Sequence, residues 1–215
     1  MGKYKCVIFD CDGVLVDSEA LSNGVLADLA NVHGANLNLA SAIKLFKGGS
    51  IEACITKIEH RIGKKLPETF EADYRRISFE KFKTQMQPIE GIKAVLDQLE
   101  IPFCVASSGP EEKIRLNLGL TGLLPLFEGR IFSCYTIKTW KPDPAVFLWA
   151  AKTMGFTPDE CLVIEDSFTG VTAAKAGGFD VFGFTQQDVH NELEGHATKV
   201  FNAMDELLPL IHASK

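Results

Sequence analysis

The chain has 215 residues, of which 46% are hydrophobic and 23% are charged, a composition that excludes a disordered, collagen-like or low-complexity protein. Its 22 basic and 28 acidic residues give a net charge of −6, and no basic cluster is longer than a pair, so we expect no nucleic-acid partner. No apolar run approaches the roughly 20 residues that span a bilayer, and the N-terminus lacks the apolar segment of a signal peptide. We therefore expect a cytoplasmic protein without a membrane partner.

The six cysteines are scattered at positions 6, 11, 54, 104, 134 and 161. They form no CxxC pair and lie too far apart for a zinc motif, and the five histidines share no metal-binding spacing. We expect free thiols in a reducing compartment. Since no histidine lies near Cys11 in the sequence to activate it, a cysteine nucleophile is disfavoured.

Four short apolar runs predict the strands of the protein. They cover residues 6–9, 103–106, 161–164 and 181–184 and are rich in β-branched and bulky side chains. Because each run is apolar on both faces, it is typical of a strand buried in a parallel sheet. Segments with helical spacing lie between the runs, and this alternation indicates an α/β fold with a Rossmann-like, doubly wound parallel sheet as its core.

One long segment, residues 17–87, interrupts the alternation. It contains successive helical stripes, such as the isoleucines within residues 51–62, and no convincing strand. An all-helical cap lobe inserted after the first strand explains this pattern. We therefore divide the chain into an α/β core, residues 1–16 and 88–215, and a helical cap, residues 17–87.

Two carboxylates, Asp10 and Asp12, follow the first predicted strand. The carboxyl ends of the strands in a parallel sheet line the ligand crevice, so both acids are expected there. A turn with a capping aspartate also explains Asp12 and Gly13, but it leaves Asp10 without a role. A calcium-binding loop would need a glutamate where Leu21 stands, which disfavours that alternative.

A second acidic pair, Glu165 and Asp166, follows the third predicted strand. Carboxylates gathered in one crevice repel each other and have raised pKa values unless a cation lies among them. Because the candidate ligands are oxygens, without histidine or thiolate, the pattern favours Mg²⁺.

Three further residues are candidates for binding an anion. Ser107 and Ser108 follow the second predicted strand and precede a helix, where hydroxyl and backbone N–H groups form an anion site. Simple capping of that helix by Ser108 explains the pattern equally well. Lys141 precedes a proline that can open the next helix, although most such lysines are solvated surface residues.

Together, these motifs resemble those of the haloacid dehalogenase-like hydrolase superfamily, subfamily IA, whose members have a helical C1 cap. The resemblance rests on the segment 10–14, Ser107, Lys141 and the pair 165–166, and it covers essentially the whole chain. It implies a Mg²⁺-dependent phosphomonoester hydrolase that acts on a small sugar phosphate or related phosphorylated metabolite through an aspartyl-phosphate intermediate.

The resemblance also implies a role for each motif residue. Asp10 would be the nucleophile, and Asp12 the general acid and then the general base. Ser107, Ser108 and Lys141 would bind the phosphate oxygens. The implied partners of Mg²⁺ are the Asp10 carboxylate, the Asp12 carbonyl oxygen and Asp166, with Glu165 nearby.

The helical cap is expected to select the substrate, since the phosphate chemistry belongs to the core. Its candidate contacts lie in a loop at residues 45–50 and are Lys47, Gly48, Gly49 and Ser50. The glycines allow close backbone approach, and the lysine can reach an anion or a sugar hydroxyl. A helix C-cap with a solvated lysine is an equally good explanation.

Two branches of the superfamily are similar to the chain in layout. β-Phosphoglucomutases match at Lys47, Gly48 and Ser50, but they carry a histidine and an arginine where this chain has Ser22 and Ile51. Those two departures disfavour mutase activity, which needs a second phosphate site.

Sugar-phosphate phosphatases, the branch that includes 6-phosphogluconate phosphatases, match more closely through residues 46–48, 107–110 and 135–145. A phosphatase is therefore our preferred interpretation, a sugar phosphomutase is the alternative, and a non-catalytic regulatory or binding protein is the second alternative. We expect a small phosphorylated metabolite as the partner, and a monomer is slightly favoured. The physiological substrate and the role of residues 188–201 stay open at this point.

Overall fold

The computed structural model describes residues 2–46, 49–188 and 190–214. The strands are β1 (Cys6–Phe9), β2 (Phe103–Ser107), β3 (Ile131–Ser133), β4 (Cys161–Glu165), β5 (Asp180–Phe184) and β6 (Lys199–Phe201). They form one sheet in the order β3-β2-β1-β4-β5-β6, with parallel pairing throughout. The predicted doubly wound α/β core and its four predicted strands are confirmed.

The sequence prediction missed the two edge strands, β3 and β6. Each has only three residues, and β6 begins with a lysine and exposes 39% of Val200, so neither shows a long apolar run. Residues 188–201, whose role the sequence analysis left open, end in the outermost strand, β6. Its register pairs Phe182 with Lys199 and Phe184 with Phe201.

The helices are α1 (Glu19–Val32), α2 (Leu39–Phe46), α3 (Ile51–Ile62), α4 (Phe70–Gln85), α5 (Ile92–Gln98), α6 (Glu111–Leu120), α7 (Leu124–Phe127), α8 (Cys134–Ile137), α9 (Ala145–Met154), α10 (Phe168–Ala176) and α11 (Leu207–His212). Short 3₁₀ helices cover Pro158–Glu160 and Met204–Glu206. Within the described ranges, no helix has the length and apolar character needed to cross a membrane.

Helices cover both faces of the sheet. Val7 and Phe9 of β1 pack into one hydrophobic cluster with residues of α5, α6, α7 and α11. Cys6 and Ile8 point to the opposite face and pack with residues of α9 and α10. Because successive side chains of a strand alternate between faces, a strand covered on both sides must be apolar throughout, as these runs are.

Helices α1 to α4 lie within the predicted helical cap and surround a hydrophobic cluster of their own, which includes Leu26, Ile58 and Phe70. The end of α4 differs, since Phe82 packs into a core cluster instead. Two chain segments connect the cap helices to the core side by side, with the Asp17 N–H donating to the Gln87 carbonyl oxygen at 2.9 Å.

Leu118 and Leu120 of α6 test the burial pattern directly. Leu118 is fully buried against the sheet, whereas Leu120 is 39% exposed. We expect Leu118→Ala to lower the free energy of unfolding by about 2–5 kcal/mol and Leu120→Ala to lower it by less than about 1 kcal/mol. Urea denaturation of both variants measures the difference, and equal losses would contradict the packing described.

Candidate active site

The carboxyl ends of β1, β2 and β4 meet at one edge of the sheet and bring most of the predicted site residues together. A cavity of about 120 Å³ opens there, between the sheet edge and the helical cap. Its walls include Asp10, Asp12, Ser107, Ser108, Lys141, Glu165 and Asp166 from the core and Gly49 and Ser50 from the cap. The predicted contacts Lys47 and Gly48 lie outside the described residues.

Lys141 is the buried cation at the centre of this edge. Its ammonium group donates to the Asp10 carboxylate at 2.5 Å, to Glu165 at 2.7 Å and to the Ala106 carbonyl oxygen at 3.2 Å. Burial alone would lower the pKa of Lys141, but the charges of Asp10 and Glu165 outweigh burial and raise it. Lys141 therefore carries a permanent positive charge. Unlike most lysines that precede a proline, it is buried and not a solvated surface residue.

Glu165 positions Lys141. One carboxylate oxygen accepts from Lys141, and the other accepts from the backbone N–H and the hydroxyl of Ser167, both at 2.9 Å. Gly170 makes room for it, because a Cβ atom at that position would fall inside the Glu165 carboxylate. Both oxygens thus accept from protein donors, and the place of Glu165 near a metal ion stays a prediction.

Asp12 is held by a second lysine that the sequence analysis did not single out. Lys113 donates to its carboxylate at 2.8 Å, Asn117 donates at 3.4 Å, and the Ser18 hydroxyl also donates to it. Burial would raise the pKa of Asp12, but Lys113 and Ser18 outweigh burial and hold that pKa below its ordinary value. Ser18 is the N-cap residue of α1, but its side chain makes no capping hydrogen bond because the hydroxyl donates to Asp12 instead.

Asp10 has the opposite electrostatic environment. Burial, together with the carboxylates of Glu165 and Asp166, raises the pKa of Asp10 well above its ordinary value, although Lys141 opposes the shift. Such crowding is relieved when a cation lies among the carboxylates.

The cavity wall is chemically suited to a divalent cation. Among the described residues, the wall contains five acidic side chains, including Glu19, and three basic ones, including Arg75, so this described lining has an excess of negative charge. Gly13, with φ +83°, brings the chain close to Asp166, and a Cβ at that position would collide with the Asp166 carboxylate. The acidic side chains offer only oxygen atoms as metal ligands, and Mg²⁺ prefers oxygen ligands.

No three described Asp, Glu, His or Cys side chains group as a ready metal site. The carboxylates that the sequence analysis named as metal ligands here are those of Asp10 and Asp166. The carbonyl oxygen of Asp12, three residues beyond the end of β1, is the backbone oxygen that the sequence analysis named.

The end of β2 and the loop after it carry Ser107 and Ser108, two of the residues predicted to bind an anion. Ser107 is buried, and its hydroxyl accepts from the Gly109 N–H at 3.1 Å, while Ser133 fixes the loop by donating to the Gly109 carbonyl at 2.7 Å. The N-cap of α6 is Pro110, so simple helix capping does not account for Ser108. Ser108 instead lines the cavity.

The predicted cap loop is shorter than expected, since Leu45 and Phe46 are the last residues of α2. Gly49 donates to the Phe46 carbonyl at 3.1 Å, and the Ser50 hydroxyl caps α3 by accepting from the Ala53 N–H at 3.2 Å. Helix α2 thus extends into the predicted loop, and the glycines in the sequence did not show where this helix ends.

Cys11, between the two aspartates, is fully buried. Burial and the charges of Asp12 and Asp10 raise the pKa of its thiol well above the ordinary value. A neutral, buried thiol is not a nucleophile, which supports the interpretation from sequence.

Comparisons with known proteins agree with this geometry. The haloacid dehalogenase-like hydrolase family matches residues 4–178. The 6-phosphogluconate phosphatase of Escherichia coli (strain K12) is 34% identical over 194 residues, covering 89% of this chain and 87% of the relative. Hexitol phosphatase A of the same organism is 29% identical over 184 residues and covers 83% of this chain and 82% of that protein.

Among solved structures, a haloacid dehalogenase-like protein of unknown function from Agrobacterium tumefaciens superposes with a TM-score of 0.87 and 28% identity, covering 98% of both chains. The chain therefore belongs to the haloacid dehalogenase-like hydrolases. It is an enzyme, a phosphoric monoester hydrolase.

Gly13 and Gly122 form a matched pair for testing the close approach of Asp166. Both have positive φ, +83° and +73°, but a Cβ on Gly122 would meet no atom within 4 Å. We expect Gly13→Ala and Gly122→Ala each to cost about 1–2 kcal/mol of stability from backbone strain. Only Gly13→Ala is expected to lower the rate of phosphate release, by about 10²-fold, because it displaces a site carboxylate.

Measuring both stability and phosphate release in the two variants separates these effects. A Gly13→Ala enzyme with the activity of Gly122→Ala would show that the position of Asp166 is not critical.

Proposed function

We propose that the protein is a Mg²⁺-dependent phosphatase of small sugar phosphates or related phosphorylated metabolites, and that it works through an aspartyl-phosphate intermediate. The observation that carries this proposal is the buried Asp10 carboxylate, held by Lys141 at the edge of the cavity. The relatives named above are phosphatases of phosphogluconate and of hexitol phosphates, which makes those esters the first candidates.

Mg²⁺ would be held by the Asp10 and Asp166 carboxylates and the Asp12 carbonyl oxygen. When bound, it supplies positive charge that offsets the crowded carboxylates and the incoming phosphate. The excess negative charge of the described cavity lining supports this requirement, because a phosphate group adds further negative charge.

In the first step, the Asp10 carboxylate attacks phosphorus, an O–P bond to Asp10 forms, and the bond from phosphorus to the substrate oxygen breaks. Lys141, Ser107 and the Ser108 N–H would bind the other phosphate oxygens and stabilise their developing charge. Asp12 supplies the proton that the leaving alcohol needs.

In the second step, Asp12 accepts a proton from water, which attacks phosphorus, releases inorganic phosphate and regenerates the Asp10 carboxylate. The lowered pKa of Asp12 keeps it in the basic form that this step requires. For the first step Asp12 must gain a proton, so its ion pair with Lys113 has to open when the substrate binds.

The mutase alternative finds little support in the cavity wall. Ser22 and Ile51 both line the cavity, at the positions where β-phosphoglucomutases carry a histidine and an arginine. A hydroxyl and an apolar side chain do not balance the charge of a second phosphate. Isomerisation of β-glucose 1-phosphate with a bisphosphate primer would overturn this assignment.

The cytoplasmic location also belongs to this proposal. It is supported by the six cysteines, which are all buried and free.

The overall reaction is tested with a panel of phosphate esters and the Asp10→Asn variant. We expect wild-type protein to release phosphate from 6-phosphogluconate or hexitol phosphates with Mg²⁺ and to lose activity in EDTA, with recovery when Mg²⁺ is restored. Asp10→Asn is expected to lower kcat by at least about 10³-fold, since it removes the nucleophile. Metal-independent release, or an active Asp10→Asn variant, would contradict the proposal.

The two-step mechanism is tested by rapid mixing of Asp12→Asn with p-nitrophenyl phosphate, whose leaving group departs without protonation. We expect a burst of one nitrophenolate per chain and then a slow steady state, about 10²–10⁴-fold below wild type, because water attack lacks its base. Sugar phosphates should show no burst with this variant, since their leaving alcohol needs the proton. Slow release without a burst from both kinds of ester would contradict the assigned role of Asp12.

A further inference from the structure

The helical cap contributes one arginine, Arg75 of α4, to the described wall of the catalytic cavity. Its Nε and Nη2 atoms donate to one oxygen of Glu71, at 2.8 and 2.5 Å, and Nη2 also donates to the Tyr135 hydroxyl at 3.1 Å. Tyr135 in turn packs edge-on against Trp140, the residue before Lys141, with ring centroids 5.3 Å apart. These contacts fix the guanidinium relative to the core.

Arg75 lies at the boundary of the cavity. Arg75, Pro110 and Tyr135 line both the catalytic cavity and a neighbouring groove, whereas Ser107 and Lys141 line the catalytic cavity alone. Because the groove adjoins the cavity at Arg75, a substrate that extends from Lys141 toward the groove would bring its far end to Arg75.

The remaining hydrogen-bonding capacity of Arg75 matches one carboxylate. Within the described part of the chain, no hydrogen bond from its Nη1 atom is formed, while Glu71 uses the Nε and Nη2 side of the guanidinium. Glu71 also balances part of the positive charge, and the Glu71 side chain is 36% exposed. A monoanion suits such a site, whereas a second phosphate dianion would leave charge unbalanced.

We propose that Arg75 is a specificity residue that binds a carboxylate at the end of the substrate opposite the phosphate, so that the preferred substrate class is phosphorylated sugar acids. This inference rests on the proposed phosphatase function and names its substrate class.

The test compares 6-phosphogluconate with glucitol 6-phosphate, which differ only in having a carboxylate or a hydroxymethyl group at C1. We expect wild-type protein to have the higher kcat/KM for the acid. Arg75→Gln is expected to lower the ratio of the two kcat/KM values by about 10- to 100-fold, as the loss of a charged hydrogen bond predicts. Arg75→Lys should restore part of the ratio, since it keeps the charge but loses the planar donor pair.

Arg76 provides the matched control, because its side chain is 67% exposed and pairs with Asp73 at 3.1 Å instead of lining the cavity. Arg76→Gln removes the same charge from the same helix and should leave the ratio unchanged. An unchanged ratio in Arg75→Gln, an equal change in Arg76→Gln, or wild-type preference for glucitol 6-phosphate would overturn the inference.

These results are distinguishable from failure of the proposed function. Turnover of glucitol 6-phosphate or p-nitrophenyl phosphate by wild-type protein shows that the phosphatase function holds even where the role of Arg75 fails. Wild-type protein inactive on every ester would overturn both.

Discussion

A buried ammonium group between two carboxylates is the interaction on which the site depends. The side chain of Lys141 is 2% exposed and lies between Asp10 and Glu165. Burying three charges is costly, and removing one partner from such a set costs about 3–5 kcal/mol because a charge is left uncompensated. The set persists because Ser167 and Gly170 accommodate Glu165, and because the Phe147 ring lies 4.7 Å below the ammonium. The fold thus holds Asp10, the proposed nucleophile, beside a fixed positive charge.

Sheet topology explains why these groups meet. The chain builds the sheet outward from β1 through β2 to β3 and then crosses to β4 on the other side of β1. Crevices for ligands form outside the carboxyl ends of the strands at such a switch point. Asp10 follows β1, and Glu165 and Asp166 lie at and after the end of β4, so residues more than 150 positions apart in sequence converge there. The chain enters the cap helices after β1, and residues of these helices form the opposite wall of the cavity.

The sequence predicted the central strands and the residues at their ends because buried parallel strands leave a strong signal, a continuous apolar run followed abruptly by acids. The edge strands gave no such signal, since three residues are too few to show a pattern. The acidic and anion-binding motifs were predictable because they directly follow these apolar runs. Lys113 and Arg75 were not, because each stands in a helix among other charged residues, and only tertiary structure shows that Arg75 lines the cavity while Arg76 faces solvent. Glu165 shows the reverse limit, since its position was predicted but its partners Lys141 and Ser167 became evident only in the folded chain.

We propose that the carboxylates at the carboxyl ends of β1 and β4 require a divalent cation. Isothermal titration calorimetry of Mg²⁺ into the substrate-free protein tests it without relying on turnover. We expect one Mg²⁺ to bind per chain and at least about tenfold weaker binding in Asp166→Asn. Binding should be unchanged in Asp159→Asn, which alters an exposed carboxylate on the Pro158–Glu160 helix. Undiminished binding in Asp166→Asn, or no binding by a wild-type protein that hydrolyses phosphate esters, would contradict it.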